Sequence, residues 1–165
     1  MIDIIKRIIL FFLLILVQVL IFGRIHLFDC ATPLLYVYFV LSFSQVYPRW
    51  VVLIWSFVLG LCIDAFSNTP GVATSSLTLL GFIQPYFLQM FVPDDAKDGF
   101  APTIKNMGML KFSFFAGTLL LLYCTVLFSI EAFNFFDWAQ WLMCIGGSWL
   151  ITYMLIITIE SVRSR

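Results

Sequence analysis

Apolar residues run along this chain in long blocks, each separated from the next by a short polar stretch. About 20 consecutive apolar residues, within a range of about 17 to 25, cross a bilayer as a helix. Blocks at about 4–22, 31–46, 51–66, 72–92, 112–130 and 138–159 therefore predict an all-α integral membrane protein with six transmembrane helices. The second and third blocks are short and meet at Tyr47-Pro48-Arg49-Trp50, a tight turn. Pro48 stops one helix there and Trp50 anchors the next at the membrane interface. Gly81 and Gln84-Pro85 interrupt the fourth block and predict a kink.

Composition agrees with lipid as the solvent. Of 165 residues, 62% are hydrophobic and 11% charged, whereas a soluble domain carries about 25% charged residues. Mean hydropathy is +1.05. The length suits a single polytopic membrane domain over residues 1–165. Zero net charge, with no basic cluster, argues against nucleic acid as a partner. Lys6 and Arg7 ahead of an apolar run resemble a signal peptide, but Gly23-Arg24-Ile25-His26 offers no small-x-small cleavage site, so a retained first span is expected. Cys30, Cys62, Cys124 and Cys144 show no close pairing and read as small apolar residues.

Charge sets the orientation. With the N-terminus inside, Lys6, Arg7, Arg49, Lys97, Lys105, Lys111, Arg163 and Arg165 fall on the cytoplasmic side and Arg24 alone falls outside. That positive-inside bias places both termini in the cytoplasm, as an even number of spans requires. The external loops are then 23–30, 67–71 and 131–137. Within the longest loop, 93–111, the stretch 101–111 predicts a short interfacial helix turning Phe100, Ile104 and Met107 toward lipid, with Pro102 in its first turn.

Asp64 is the only charged residue between Trp50 and Val92, and an acid at bilayer depth is costly unless it meets a partner or the interface. Orientation puts it near the external end of the third span, beside Pro70-Gly71. There it can accept hydrogen bonds from the amides of 67–71 and face the positive end of the fourth helix. It is either an organiser of that corner or a contact for a partner or substrate. Ser56, Gly60 and Asp64 recur every fourth residue, a spacing of small residues that lets helices approach closely; Ser113 with Gly117, and Gly146-Gly147-Ser148, repeat it. That face packs within the bundle or docks another membrane protein. Gln18, Gln84 and Gln89 suit interhelical hydrogen bonds or a ligand pocket. His26, Asp29 and Cys30 supply three metal-ligand types without a fourth, a poor site, so no metal and no other cofactor is expected. With one histidine, one deep acid and no hydrolase or P-loop motif, catalysis is not expected.

The run from Gly60 to Gly71, GLCIDAFSNTPG, resembles the G-hydrophobic-hydrophobic-x-D … S … P-x-G region of the rod shape-determining MreD family, although here Pro70 directly precedes Gly71. Gln18 in the first span, the chain length and the polar-tinged start of the fourth span are similar to the family as well. The resemblance implies a non-enzymatic scaffold in the bacterial cytoplasmic membrane that helps maintain rod cell shape. It implies binding to a bitopic MreC-like protein and, through it, to a RodA-like glycosyltransferase and a penicillin-binding transpeptidase, with MreB filaments on the cytoplasmic face. Ser56, Gly60, Asp64, Ser67, Pro70, Gly71, Gln18 and Gln84 are the candidate partner-binding or structural residues. MreD-like proteins are also similar in helical layout to the substrate-binding S components of energy-coupling-factor transporters. The competing expectation is therefore a small-molecule binder with a cavity lined by Asp64, Ser75, Ser76, Gln84 or aromatic residues.

Overall fold

The computed structural model describes residues 2–20, 33–92, 99–131 and 138–163, and every element among them is helical. Five long helices, α1 (Ile2–Leu20), α3 (Arg49–Ser67), α4 (Val72–Gln89), α6 (Met109–Glu131) and α7 (Trp138–Arg163), surround a one-turn helix α2 (Val37–Leu41); α5 (Ile104–Met107) is a second single turn. By length and composition α3, α6 and α7 can each cross a membrane. α1 has 19 residues, with Asp3, Lys6 and Arg7 in its first two turns, and α4 has 18, diluted by four serines and threonines and two glutamines.

The surface is apolar where the helices face outward. On α1, Phe11, Leu14 and Ile15 are buried while Ile5, Ile9, Phe12, Leu13 and Leu16 are exposed. α7 reverses the arrangement of a water-soluble helix. Its buried stripe is Ile145, Ser148, Thr152, Ile156 and Glu160, and Leu142, Met143, Leu150 and Met154 point out. Polar groups held inside and hydrocarbon outside are what lipid requires of a bundle.

α3 and α4 form an antiparallel hairpin. Asn68 closes α3 in the left-handed region at φ 57°, and both its amide and that of Thr69 return to the carbonyl of Asp64. Asparagine is among the few residues other than glycine that adopt this cap readily. Gly71, at φ 86°, then opens α4. α6 and α7 form a second antiparallel pair, and Phe87 of α4 stacks on Phe115 of α6 at 6.0 Å between ring centroids.

The expected second span is not a membrane-spanning helix in its described part, 33–46. It is α2 flanked by isolated turns, such as Val37 N–H to the Leu34 carbonyl and Phe43 N–H to the Val40 carbonyl. Every residue from Leu34 to Leu41 is buried. The physical reason is its location: irregular backbone is tolerated at membrane depth only inside protein. All five long helices touch it. Phe11 of α1 and Trp55 of α3 pack on Phe39 in a three-ring cluster, and α4, α6 and α7 supply polar partners described below.

A further expectation changes. The interfacial helix over 101–111 shrinks to α5, and Phe100 and Met107 are buried in the core rather than turned to lipid. The Phe100 carbonyl is used inside, accepting from Gln45 N–H and from Ser44 Oγ at 2.9 Å. Gly108, at φ 79°, separates α5 from α6, which starts at Met109. The fourth helix runs continuously through Pro85 from Val72 to Gln89.

Candidate functional site

The sequence places an acid where α3 ends, and the hairpin gives it donors. Gly71, the residue that caps α4, has no side chain with which to bond the first amides of the helix. Asp64 takes over that role from the neighbouring helix. Its Oδ1 accepts from Ala73 N–H at 2.9 Å and Thr69 Oγ1 at 3.2 Å; its Oδ2 accepts from Thr74 N–H at 2.8 Å and Thr74 Oγ1 at 2.5 Å. Four donors fill most of the acceptor capacity of a carboxylate. The α4 dipole adds attraction, because the carboxylate sits at its positive end. Only 6% of Asp64 is exposed. The expected amide donors in 67–71 are thus replaced by those of Ala73 and Thr74, since α4 starts at Val72 and its free amides lie inside its first turn.

The small residues behind Asp64 make this possible. A methyl on Gly60 would lie 2.4 Å from Thr74 Cα, and one on Gly81 would lie 2.4 Å from Ser56 Oγ. Ser56, wholly buried, bonds the Val52 carbonyl. The face of Ser56, Gly60 and Asp64 is therefore covered by α4. Ser67, Pro70 and Gly71 are exposed on the loop beyond it. In the second pair Ser113 bonds the Tyr153 hydroxyl, and Gly117 lies against Tyr153 while its carbonyl accepts from Trp149 Nε1. Gly146 faces open space.

A second polar constellation fixes the buried segment 33–45. Gln18 Nε2 donates to the Pro33 carbonyl at 3.0 Å, and Gln84 Nε2 to the Phe43 carbonyl at 3.0 Å. Thr152 Oγ1 accepts from Leu34 N–H at 3.0 Å, and the hydroxyls of Tyr36 and Tyr123 meet at 2.7 Å. Tyr38 donates to Glu160 Oε2 at 2.5 Å and receives Arg163 Nη1 at 3.1 Å. The backbone groups that a missing helix leaves open are satisfied by side chains, as burial demands.

Glu160 corrects the expectation that Asp64 is the only deep acid. It is 2% exposed, against 60% for the side chain of its partner Arg163. The expected last span, 138–159, stops one residue short of it. The available signal was Ser148, Thr152, Ile156 and Glu160 recurring every four residues on one face of α7. We expect Glu160→Gln, which keeps an acceptor for Tyr38, to unfold near the wild-type midpoint. Glu160→Leu leaves a buried hydroxyl and costs about 1–3 kcal/mol. Thermal unfolding in mild detergent separates the two, and equal midpoints would refute the assignment.

The residues expected around one small-molecule cavity are dispersed. Gln84 lines a cavity of about 300 Å³ with Arg49, Ser75 lines an apolar groove, Ser76 is wholly buried, and Asp64 is occupied by its own chain. His26, Asp29 and Cys30 lie outside the described residues, among which no cluster of metal-ligating side chains occurs. Cys62 and Cys124 are free thiols.

The geometry defines a class: an all-helical membrane protein with an inward-facing polar network around an irregular buried segment. No protein-family model, curated protein or solved structure matches the chain.

Proposed function

We propose that this protein is a non-enzymatic scaffold of the MreD type in a bacterial cytoplasmic membrane, serving the machinery of wall elongation. The supporting observation is the corner at Gly60–Gly71, the same segment that carries the resemblance. Asp64 and Gly60 fix its shape from within, while Phe66, 64% exposed, and the exposed Ser67, Pro70 and Gly71 present a rigid loop outward. Such a loop, backed by a capped hairpin, is a docking feature for the single span and adjoining segment of a bitopic MreC-like partner. Through that partner the scaffold reaches a RodA-like glycosyltransferase, a penicillin-binding transpeptidase and MreB filaments.

Six passages with both termini cytoplasmic is the topology that fits this role. α1, α3, α4, α6 and α7 supply five. Segment 33–45 supplies the sixth in irregular form, since Pro33 meets Gln18 near one end of α1 and Phe43 and Tyr47 meet Arg7 near the other. Arg7 and Arg49 lie at the end opposite Asp64, Arg7 stacked on Tyr47 at 4.1 Å and Arg49 on Tyr86 at 4.3 Å. With cations inside, the Asp64 corner faces the wall.

Co-purification in mild detergent with the MreC-like partner tests this reading. Ser67→Arg on the exposed loop is expected to reduce partner recovery about tenfold without changing membrane insertion or the unfolding midpoint. Asp64→Leu reduces recovery and stability together. Full recovery with both variants, in cells that stay rod-shaped, would sink the proposal.

A further inference from the structure

Between the Arg49 end of α3 and its partner α4 lies a cavity of about 300 Å³, at the small end of ligand sites, which span about 300–1,000 Å³. Ser44, Gln45, Arg49, Gln84 and Gln89 line it with polar side chains, and among the described residues no acid borders it. Its level is fixed by the helices: α3, a helix able to cross the membrane, starts at Arg49, and Trp50 beside it is 63% exposed. Tryptophan at such a position marks the headgroup region. The cavity is therefore a polar, cationic recess at the membrane surface.

A second hollow lies on the same helix pair. An apolar groove of about 590 Å³ runs along the same helix pair, lined by Leu53, Phe57, Thr78, Leu79 and Phe82 and reaching Gly71. Arg49, Leu53 and Phe57 stand at successive fourth positions and so form one stripe of α3. On α4, Tyr86 follows Phe82 by one turn, with ring centroids 5.5 Å apart. Tyr86 also donates the surface on which Arg49 lies, and its hydroxyl accepts from Arg49 Nη1 at 2.9 Å. The groove thus opens one helical turn from the guanidinium. From Phe82 to Gly71 it extends about 16 Å along α4 at about 1.5 Å per residue.

From this arrangement we propose a binding site for one anionic glycerophospholipid. The phosphate sits in the recess against Arg49, and the neutral amides and hydroxyl of the lining hydrogen-bond its oxygens and glycerol esters. One acyl chain lies in the groove between α3 and α4. Charge complementarity selects the occupant: a cation and amides at one end, hydrocarbon along the rest, and no carboxylate among the described residues that line either. A free phosphate would leave the groove without a ligand group, and a partner helix would leave the cation without an anion. The site is independent of the wall-elongation role and of which side of the membrane it faces.

Native mass spectrometry of the full chain released from nanodiscs tests it. The discs contain equal amounts of phosphatidylglycerol and phosphatidylcholine. One phosphatidylglycerol is expected to persist at collision energies that strip phosphatidylcholine. Arg49→Gln lowers its retention about fivefold, in line with the worth of one cation near a charged headgroup. Arg49→Lys retains most of it, and Leu53→Trp, which fills the groove, lowers it while leaving the thermal midpoint unchanged. Glycerol phosphate added alone, up to millimolar concentration, does not bind. Equal retention of the two lipids, indifference to Arg49→Gln, or binding of glycerol phosphate that survives Leu53→Trp would each overturn the assignment.

Discussion

Asp64→Ala is expected to lower the unfolding free energy by about 2–4 kcal/mol, measured by denaturant titration in mild detergent with tryptophan fluorescence as the probe. A typical cap side chain serves one amide and contributes about 0.5–2 kcal/mol. Asp64 serves two amides and two hydroxyls, and bonds to a charged acceptor are the stronger kind, so the effect exceeds that range. The hydroxyls of Thr69 and Thr74 can rotate to other acceptors once the carboxylate is gone. The amides of Ala73 and Thr74 cannot, because no earlier carbonyl of α4 exists to receive them. Asp64→Asn is expected to lose nearly as much, since its amide group turns one donor against another. Thr74→Val removes the 2.5 Å bond alone and costs about 1 kcal/mol. A double-mutant cycle between Asp64→Ala and Thr74→Val should then show coupling of at least about 0.5 kcal/mol, as for groups in one network. An Asp64→Ala protein that unfolds at the wild-type denaturant concentration would show that the clasp contributes nothing.

Most long helices were legible because their apolar blocks exceed what a soluble core needs, and α3, α6 and α7 fall where those blocks lie. The role of Asp64 as an organiser was legible for a local reason. An acid six residues before a Pro-Gly pair has a helix start within reach, even though the donor positions come out two residues late. Segment 33–46 was not legible. Hydropathy records that Leu34, Val37, Phe39, Val40 and Leu41 avoid water, and says nothing about whether lipid or protein replaces it. Its tyrosines and serines, and its length at the lower limit of a span, were the marks of an interior location. Phe100 and Met107 misled in the same way, being apolar residues bound for the core rather than the interface. Glu160 was hidden by an assumption about boundaries, since an acid at the edge of an apolar block looks solvated until the fold places Tyr38 against it.

Gly60→Ala should cost about 3 kcal/mol, through a contact that no side chain can yield. The added methyl would meet Thr74 Cα at 2.4 Å, Thr74 N at 2.9 Å and the Ala73 carbonyl at 3.1 Å, all of them backbone. Relief requires α4 to move away from α3, and overpacking of this kind costs about 1–3 kcal/mol. The same movement stretches the Asp64 clasp, because Asp64 lies one turn along from Gly60 and holds the amide of that same Thr74 at 2.8 Å. Helix propensity works the other way and returns up to about 1 kcal/mol on replacing glycine by alanine. Two sister variants separate these effects. In Gly81→Ala the obstruction is the Ser56 side chain, with Oγ at 2.4 Å and Cβ at 2.9 Å, so the loss is smaller and Ser56→Gly restores it. In Gly146→Ala nothing lies within 4 Å, and only the gain in propensity remains. The expected order of stability in detergent is Gly146→Ala, then wild type, then Gly81→Ala, then Gly60→Ala. If Gly60→Ala matched Gly146→Ala, the close approach of α3 and α4 would not be what holds the corner. Partner recovery should follow the same order if the clasped hairpin is the docking element.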